Sequence, residues 1–508
     1  MTGHVPIPEE LSRARYELEV FLLGGGFDLY EDGRFLSAVE RGRCSAEPSY
    51  GKLILSCRGE GWARSWRIIS CEITSEGARL QCSKQIGRVR SVVFMSREKT
   101  IAPGSGLRSE FATELVRLIE ANFQGARVER ARAGRDDRPR LHGRYTRVVI
   151  EEGGKTFAGL GVSGLEAQPT IDGALGAGLV WLKSLSGGKR LAKRTVRGLK
   201  LFAPRGRAGT LAARLMLVDA GAAPVSLYEV DDERGTVSPV SPFDQGDLAD
   251  KMKSPRRRAT WPREDDISPA MASRLRSIVE LAPEVIESRK RGAWVELSIN
   301  GLSFARASAK GERIDFGIET MRTLREPDRP ELHRLVLDVA AHRRADATDK
   351  RHYLYRAHAE RWLEAVLRKD VSVVDPGLDP RFAYSQVPTY RGELRTYIDL
   401  LGATQKGRLV VMELKVAEDA EAPLQGLDYW MRVEWHRLRG DFTRRGYFKG
   451  KPLSDEPPLL YLVAPLFRFH KTTGLVAKAI SNRVPVYRVG INTDWRSGIR
   501  ALLVERLN

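Results

Sequence analysis

The chain has 508 residues, of which 42% are hydrophobic. This length suggests three or four domains, and the apolar share is enough for packed cores, which excludes a chain that is disordered throughout. Because 84 Lys and Arg residues exceed 65 Asp and Glu residues, the formal net charge is +19. So basic a chain favours nucleic acid as its partner, with an anionic membrane or a general effect on solubility as weaker alternatives.

No apolar run approaches the roughly 18 residues of a membrane-spanning helix, and the N-terminus lacks a basic segment followed by an apolar one. We therefore expect no membrane association and no secretory signal. The four cysteines form no CxxC pair and match no zinc-binding spacing, so we expect reduced thiols packed in strands and a cytoplasmic protein. They are Cys44, Cys57, Cys71 and Cys82.

The first 250 residues divide into two predicted domains of different character. Residues 1–102 contain short runs of alternating apolar residues, such as KLILSCRG and RVRSVVFM, which are typical of a β-rich accessory domain. Residues 103–250 begin with an amphipathic helix at 109–122 and then alternate strands and helices, which indicates an α/β domain.

The predicted α/β domain is strongly basic. Between Asp172 and Asp219 lie ten Lys or Arg residues and no acid, and eight Arg residues lie within 127–147. Each group is typical of a surface that follows nucleic-acid phosphates, and equally of a solvated protein face. Both interpretations stay open.

Two shorter segments follow. Residues 251–268 are polar, contain proline and are highly charged, which indicates a linker. Residues 269–349 begin with a helix and continue as strand-like runs, and the pair Asn300-Gly301 is typical of a tight hairpin turn. We interpret them as a small α+β connector without chemistry of its own.

Residues 350–508 carry the most specific pattern. The segment YRAHAERWLEAVLRKD predicts an amphipathic helix, and the order α-β-β-β-α-β-α-β that follows from it indicates a mixed sheet flanked by helices. Asp399 lies in one predicted strand, and Glu413 and Lys415 lie in the next. Since side chains two residues apart on a strand share a face, Glu413 and Lys415 point the same way.

These residue types suit the hydrolysis of a phosphodiester. Carboxylates such as Asp399 and Glu413 can hold Mg²⁺ or Mn²⁺, which activates a water and neutralises charge in the transition state. Lys415 can orient the water or stabilise the developing negative charge. The alternative is a salt-bridged hairpin on a solvated sheet.

The same stretch resembles the PD-(D/E)XK nuclease superfamily. Its acid…acid-x-lysine pattern is matched by Asp399, followed after thirteen residues by Glu413-Leu414-Lys415. The residue before Asp399 is Ile398, whereas the superfamily pattern has proline at that position. The segments HAERWLEAVL, YIDLLG and GRLVVMELK are most similar to the NucS-type (EndoMS-like) endonuclease domain. The resemblance covers about residues 350–490, so the mismatch preference of that family is not carried over.

Further residues extend the resemblance. Glu360 matches the acid that members often carry on the first helix, and Gln425-x-x-x-Tyr429 matches the QxxxY motif of the RecB-like branch, whose residues line the substrate groove. The resemblance implies a restriction-endonuclease-like fold and a metal-dependent nuclease. The implied catalytic residues are Asp399, Glu413, Lys415 and Glu360, and the implied ligands of Mg²⁺ or Mn²⁺ are Asp399, Glu413 and Glu360.

Basic residues interleaved with aromatic ones follow the QxxxY motif, beginning with Arg432 and Arg437. This pattern suits single-stranded or splayed nucleic acid, although aromatics that anchor a long loop explain it equally well. We expect Gln425, Tyr429, Arg432 and Arg437 to bind substrate. DNA is the expected partner, with single-stranded or branched DNA favoured, and a homodimer stays open.

The sequence thus predicts a metal-dependent deoxyribonuclease acting in repair, recombination or defence. The alternative is a nucleic-acid-binding repair or defence factor with a catalytically inactive nuclease fold. The α/β domain at 103–250 has a third interpretation, as a degenerate copy of the nuclease fold without the acid-x-lysine motif. His436 and His470 are expected to be core or surface histidines rather than catalytic residues.

Overall fold

The described residues form four β-sheets and eleven α-helices, which confirms a mixed, multidomain α/β architecture. They belong to two compact units, Met1–Pro103 with Ala259–Trp362 and Gly104–Arg258 with Leu363–Asn508. Among them, no helix is long and apolar enough to cross a lipid bilayer. The computed structural model describes residues 15, 17–19, 21–22, 27–31, 34–39, 43–49, 52–59, 62–73, 77–83, 90–96, 105–133, 144–166, 168–186, 195–219, 224–232, 234–242, 267–291, 293–309, 311–318, 321–391 and 394–508.

The N-terminal part of the first unit is a seven-stranded antiparallel sheet. Its strands are β1 (Phe27–Glu31), β2 (Arg34–Val39), β3 (Cys44–Ser49), β4 (Lys52–Gly59), β5 (Trp62–Ile73), β6 (Gly77–Ser83) and β7 (Arg90–Ser96). They are ordered β2-β1-β7-β6-β5-β4-β3. Alternate residues such as Ala78, Leu80 and Cys82 are buried because successive side chains on a strand point to opposite faces.

The cysteines correct one expectation. Cys44 and Cys57 are register partners on β3 and β4 and are joined by a disulfide, so the prediction of reduced thiols is wrong for this pair. The hairpin register brings together two residues that are 13 apart in the chain. Cys71 and Cys82 are not disulfide-bonded, and burial raises the pKa of Cys71 to about 11. Disulfides are rare in reducing compartments, so this disulfide argues against the predicted cytoplasmic location.

The α/β domain of the second unit contains one six-stranded mixed sheet. Its helices are α1 (Ser105–Asn122), α2 (Gln168–Asp172), α3 (Ala174–Ser186) and α4 (Gly209–Leu215). Its strands are β8 (Arg127–Arg132), β9 (Thr146–Glu152), β10 (Lys155–Gly161), β11 (Val196–Pro204), β12 (Val225–Asp231) and β13 (Thr236–Val240). The order is β13-β12-β11-β10-β9-β8, with β10, β11 and β12 parallel to one another and the remaining neighbours antiparallel.

The linker predicted at 251–268 lies outside the described residues except for Ile267 and Ser268. After it, the first unit continues as a small antiparallel sheet with helices. The elements are α5 (Pro269–Val279), β14 (Ile286–Arg291), β15 (Trp294–Ile299), β16 (Leu302–Ser308), β17 (Ile314–Phe316), β18 (Arg322–Thr323), α6 (Arg329–His342) and α7 (Tyr353–Arg356). The predicted hairpin turn joins β15 to β16, with φ of 45° at Asn300 and 76° at Gly301.

The C-terminal residues form the second six-stranded sheet. Its helices are α8 (Ala359–Lys369), which begins in the first unit, α9 (Ala422–Leu438), α10 (Asp441–Arg444) and α11 (Thr473–Lys478). Its strands are β19 (Leu378–Arg391), β20 (Leu394–Thr404), β21 (Leu409–Leu414), β22 (Leu459–Pro465), β23 (Val486–Ile491) and β24 (Ala501–Arg506). They are ordered β19-β20-β21-β22-β23-β24, with β21, β22 and β23 parallel and the outer neighbours antiparallel.

The two six-stranded sheets have the same topology. In each, a helix precedes three antiparallel strands, a second helix leads to a fourth strand parallel to the third, and a short helix leads to the parallel fifth strand. The helix pairs in corresponding places are α1 and α8, α3 and α9, and α4 and α11. This identity of topology favours the interpretation of residues 103–250 as a copy of the C-terminal domain.

The two sheets pack together through corresponding elements. Helix α4 contacts α9 and α3 contacts α11, so the contacts exchange when the two domains are exchanged. At the centre, Val218 and Ile480 form an antiparallel bridge between the segments that follow α4 and α11. Side chains of both domains form one continuous apolar cluster. The pair therefore has the contact pattern of an approximate two-fold dimer within one chain.

One ion pair lies inside this interface. Arg214 of α4 and Asp428 of α9 are 0% and 1% exposed. Their contact is bidentate, with Nε–Oδ1 at 2.9 Å and Nη2–Oδ2 at 2.8 Å, and Nη1 donates to the carbonyl of Asp172. A buried guanidinium needs such partners because the loss of hydration is otherwise uncompensated. The pair therefore allows one mutual arrangement of α4 and α9.

Breaking this pair should destabilise the second unit strongly. Asp428→Ala leaves Arg214 buried without its carboxylate, and we expect the free energy of unfolding to fall by about 3–5 kcal/mol. Denaturant unfolding followed by tryptophan fluorescence measures the change. Glu114→Ala, which removes an exposed contact with Arg117 on α1, is the control and should leave the transition nearly unchanged. The double variant Arg214→Met/Asp428→Leu should recover most of the loss, and a double variant as unstable as Asp428→Ala would contradict this account.

Candidate functional site

Asp399 lies where β20 and β21 stop pairing. The last register pair of the ladder is Leu400 with Met412. Beyond it, Oδ2 of Asp399 accepts a hydrogen bond of 2.9 Å from the backbone N–H of Leu414. The carboxylate thus replaces a strand partner and is held at the edge where the two strands separate.

Glu413 and Lys415 share one face, as their spacing predicts. Nζ of Lys415 lies 2.9 Å from Oε1 of Glu413 and 3.2 Å from Oδ2 of Asp419. The Glu413 side chain is 3% exposed and that of Lys415 is 17% exposed. The ammonium is anchored between two carboxylates, so the ion pair of the salt-bridged alternative is present here.

A cleft opens beside this ion pair. Both members of the pair reach it, so the contact between Lys415 and Glu413 does not close the site. The polar lining side chains are Glu413, Lys415, Asp419, Arg468, His470 and Thr473.

The carboxylates of the site repel one another. Burial raises the pKa of Asp399 well above its ordinary range, and the charges of Glu413 and Glu364 raise it further. The Leu414 N–H and Lys415 oppose this rise without cancelling it. Acids held together in this way are stabilised by any cation that reaches them.

The helix acid near Asp399 is Glu364, which the sequence analysis did not select. Glu364 is buried on α8 and belongs to the second unit, together with Asp399. Glu360, the predicted helix acid, is exposed in the first turn of α8 and belongs to the first unit. We therefore assign Glu364 to the site in addition to Asp399 and Glu413.

Gln386 is a second residue that the sequence analysis missed. Its Nε2 donates a hydrogen bond of 2.5 Å to Oε2 of Glu364. It lies opposite Asp399, between the register pairs Ser385–Leu400 and Val387–Ile398, and its φ of 53° is unusual for a strand residue. Such a backbone conformation costs roughly 1–3 kcal/mol and is typical of functional sites. It directs the amide of Gln386 to the buried acid.

The predicted substrate-binding residues all lie on α9. Gln425 and Tyr429 share one face of the helix and are half-buried, and Tyr429 packs against the apolar cluster. Arg432 is 6% exposed and donates to a carbonyl of its own helix. Arg437 forms a bidentate contact of 2.6 and 2.8 Å with Glu434. Neither guanidinium lies open at the surface, so the structure gives no support to substrate binding by Arg432 and Arg437.

The two histidines differ in position. His436 is buried and contacts Asp441 at 2.7 Å, as a structural residue does. His470 lines the cleft, where its Nδ1 lies 2.7 Å from Oγ1 of Thr472 and burial lowers its pKa. Arg468, beside it, is exposed at the cleft. Arg468 and His470 lie 55 or more residues after Glu413 in the chain, so only the folded structure shows that they line the same cleft.

The carboxylates of the site suit a metal ion that needs few protein ligands. Among the residues that the structure describes, no group of three or more His, Cys, Asp or Glu side chains is arranged to hold one ion. Mg²⁺ needs only one or two protein carboxylates because it keeps several waters. Asp399 and Glu413 are close enough for the charge of one to raise the pKa of the other, so they fit a site of this smaller kind.

Comparison of the chain with protein-family models and with curated proteins finds no match. The cleft is lined by the carboxylates of Glu413 and Asp419, by Lys415 and by the exposed Arg468. Such a set of charges can bind a hard cation and a phosphate together.

The raised pKa of Asp399 predicts a pH-dependent effect on stability. Its folded-state pKa lies above the unfolded value of about 3.9, so the wild type loses stability as pH rises from the unfolded to the folded pKa. Asp399→Asn keeps an acceptor for Leu414 and removes the charge. Without divalent ions, we expect it to melt at a higher temperature than wild type at neutral pH, with the difference vanishing towards pH 4.

Differential scanning fluorimetry across this pH range measures the effect. Asp455→Asn, at an exposed position of the same domain, is the matched control and should follow the wild type at every pH. A variant at Asp399 that is less stable than wild type at neutral pH would show that the carboxylate is not strained by its neighbours.

Proposed function

We propose that this chain is a metal-dependent nuclease that hydrolyses DNA phosphodiester bonds in repair, recombination or defence. Its C-terminal residues 350–508 then belong to the PD-(D/E)XK superfamily, and a mixed sheet flanked by helices agrees with that fold. The observation that carries the proposal is the convergence of Asp399, Glu413 and Lys415 at one sheet edge. Their order and their strand positions are those that the acid…acid-x-lysine pattern requires.

Asp399 and Glu413 would hold Mg²⁺ or Mn²⁺, with Glu364 acting through its charge on Asp399. Such an ion supplies an activated water and neutralises charge on the phosphate. Lys415 stabilises the negative charge that develops on the phosphate, and Asp419 holds its ammonium in place. Gln386 orients Glu364 and so keeps the acids together. Arg468, which lines the cleft, would donate hydrogen bonds to another oxygen of the same phosphate.

DNA as the partner is supported by the charge of +19 and by the richness in arginine, which contacts phosphates in bidentate fashion. The proposal places the protein in the cytoplasm, and the Cys44–Cys57 disulfide is the observation that argues against this location. A homodimer stays open as a further partner, and sedimentation distinguishes it from a monomer.

Metal binding is testable without activity. Mg²⁺ or Mn²⁺ should raise the melting temperature of wild type, because a ligand at 100 times its Kd stabilises the folded state by about 2.7 kcal/mol. Asp399→Asn and Glu413→Gln should lose most of this shift, whereas Asp455→Asn should keep it. Equal shifts in all four proteins would place the ion elsewhere.

Cleavage is tested with labelled single-stranded, duplex, flap and mismatched DNA, and with RNA, in the presence of Mg²⁺ or Mn²⁺. Lys415→Ala should lower the cleavage rate by roughly 10²- to 10³-fold, since it removes one preorganised positive group from the transition state. Asp399→Ala should abolish cleavage. Lys406→Ala, in the exposed turn before β21, is the matched control. If Lys415→Ala and Asp399→Ala cleave as fast as wild type, the proposal is wrong.

The second candidate is a nucleic-acid-binding factor whose nuclease fold is inactive. It is favoured by the ammonium of Lys415, which is already held by Glu413 and Asp419, and by the lack of a three-ligand metal group among the described residues. DNA binding that weakens steeply with salt, without cleavage under either metal, would decide for this candidate.

A further inference from the structure

Backbone hydrogen bonds align the two six-stranded sheets residue by residue. Leu199 N–H donates to the carbonyl of Pro224 at 2.8 Å, and in the C-terminal domain Leu460 N–H donates to Pro485 at 3.0 Å. Val162 N–H donates to Phe202 at 3.0 Å, and Lys415 N–H donates to Val463 at 2.9 Å. The equivalent of Lys415 is therefore Val162, and the equivalent of Glu413 is Leu160, two residues before it.

Strand register identifies the equivalent of Asp399. Asp399 precedes Leu400, which pairs with Met412, the residue before Glu413. In the other sheet, Val148 pairs with Gly159, the residue before Leu160. The residue before Val148 is Arg147. An arginine thus occupies the place of the carboxylate.

Arg147, Leu160 and Val162 therefore stand where the C-terminal domain has Asp399, Glu413 and Lys415. An arginine and two apolar side chains provide no ligand for a divalent cation. The α/β domain therefore has the strand arrangement of the candidate nuclease domain. At the three equivalent positions its net charge is positive, whereas that of the C-terminal domain is negative.

Two further arginines surround Arg147. Arg132 is its register partner on β8, and Arg130 lies two residues away on the same strand. Arg132 and Arg130 both add to the effect of burial in lowering the pKa of Arg147. The Arg147 guanidinium lies over the ring of Trp181 at 5.3 Å, and its buried Nε donates to no described acceptor. No carboxylate among the described residues pairs with any of the three arginines. The cluster therefore carries three positive charges without an acidic partner among these residues.

We propose that Arg130, Arg132 and Arg147 form a phosphate-binding site for the backbone of a DNA strand. In the α/β domain, this site occupies the position equivalent to the proposed cleavage site of the C-terminal domain. It binds the strand without cutting it. The inference rests on the proposed function for the identity of the polymer. Guanidinium groups suit the site because they bind phosphate oxygens in pairs and stay charged at neutral pH.

The arrangement of the charges favours a polymer over a single phosphate ion. Arg130 and Arg132 are about 7 Å apart along β8, since a strand rises about 3.3 Å per residue. Arg147 lies directly opposite Arg132 on the neighbouring strand β9. The Arg132–Arg147 pair and Arg130 therefore offer two binding positions about 7 Å apart along the strand, which suit two phosphates of one nucleic-acid strand.

The experiment compares two triple variants of the full chain in an Asp399→Asn background, which removes cleavage. The site variant changes Arg130, Arg132 and Arg147 to Gln. The control variant changes Arg117, Arg205 and Arg234 to Gln, which are exposed arginines of the same domain paired with acids. Both lose three positive charges. Binding of a labelled single-stranded oligonucleotide is measured by fluorescence anisotropy as a function of salt.

We expect the site variant to bind about tenfold more weakly or worse, with the slope of log K against log salt reduced by about 2, because each phosphate contact on a single strand contributes about 0.7. The control variant should stay within about twofold of its parent, because its arginines already have partners. Equal binding by the two triple variants, or a parent that does not bind DNA, would overturn the proposal.

Since Arg147 is half-buried, the double variant Arg130→Gln/Arg132→Gln is measured beside the triple variant, and it should lose binding without a change in melting temperature. Inorganic phosphate is the second probe. If it raises the melting temperature of the parent but the site variant still binds DNA normally, the site holds a free anion and the strand proposal is wrong. Binding is read without cleavage, so an inactive wild type would contradict the nuclease and leave this result standing.

Discussion

The buried contact between Arg214 and Asp428 ties together the two sheets on which the candidate site depends. Charges enclosed in an apolar cluster must remain paired, because neither can regain its hydration. Their bidentate geometry therefore allows one arrangement of α4 against α9. Helix α9 in turn packs on β21 and β22, the strands beside the cleft. This ion pair thus fixes, within the shared apolar cluster, how the α/β domain packs against the helix beside the site.

Within that frame, the site is held together against electrostatic repulsion. Asp399 replaces a backbone partner for Leu414, Glu413 is almost fully buried, and Glu364 is oriented by Gln386. Each acid is held by a specific hydrogen bond or ion pair, yet their charges still raise the pKa of Asp399. A folded protein keeps such an arrangement when packing elsewhere is strong enough to impose it. The strain at the site is the physical link between the fold and the proposed use of a metal.

The paired domains show how one frame supports two chemistries. Strand order, helix positions and backbone hydrogen bonds correspond, while the central side chains change from two acids and a lysine to one arginine and two apolar residues. The backbone pattern is maintained by main-chain hydrogen bonding and by apolar packing, neither of which needs the polar side chains of the site. The site residues are therefore free to change without loss of the fold.

Local pattern was enough to select Glu413 and Lys415 as a pair on one face, because their relation follows from the two-residue period of a strand. Asp399 was selected from its position in the preceding strand and its spacing to that pair. It also predicted the mixed sheet, the helix carrying Gln425 and Tyr429 and the turn at Asn300-Gly301, since these depend on neighbours in the chain. Choosing Glu364 required tertiary structure, because both acids of α8 lie near the edge of the same apolar face and only burial beside Asp399 separates them.

The same holds for the disulfide of Cys44 and Cys57, for Gln386 and for the burial of Arg432, each of which depends on which strand or helix lies opposite. The repeat of the fold was visible only in the topology. Equivalent positions such as Asp399 and Arg147 have the same place in the strand register but side chains of opposite charge. The sequence by itself determined which reactive side chains are present and which segments form helices or strands. Tertiary structure decided which of those groups meet, since contacts between distant segments are set by packing that no local period records.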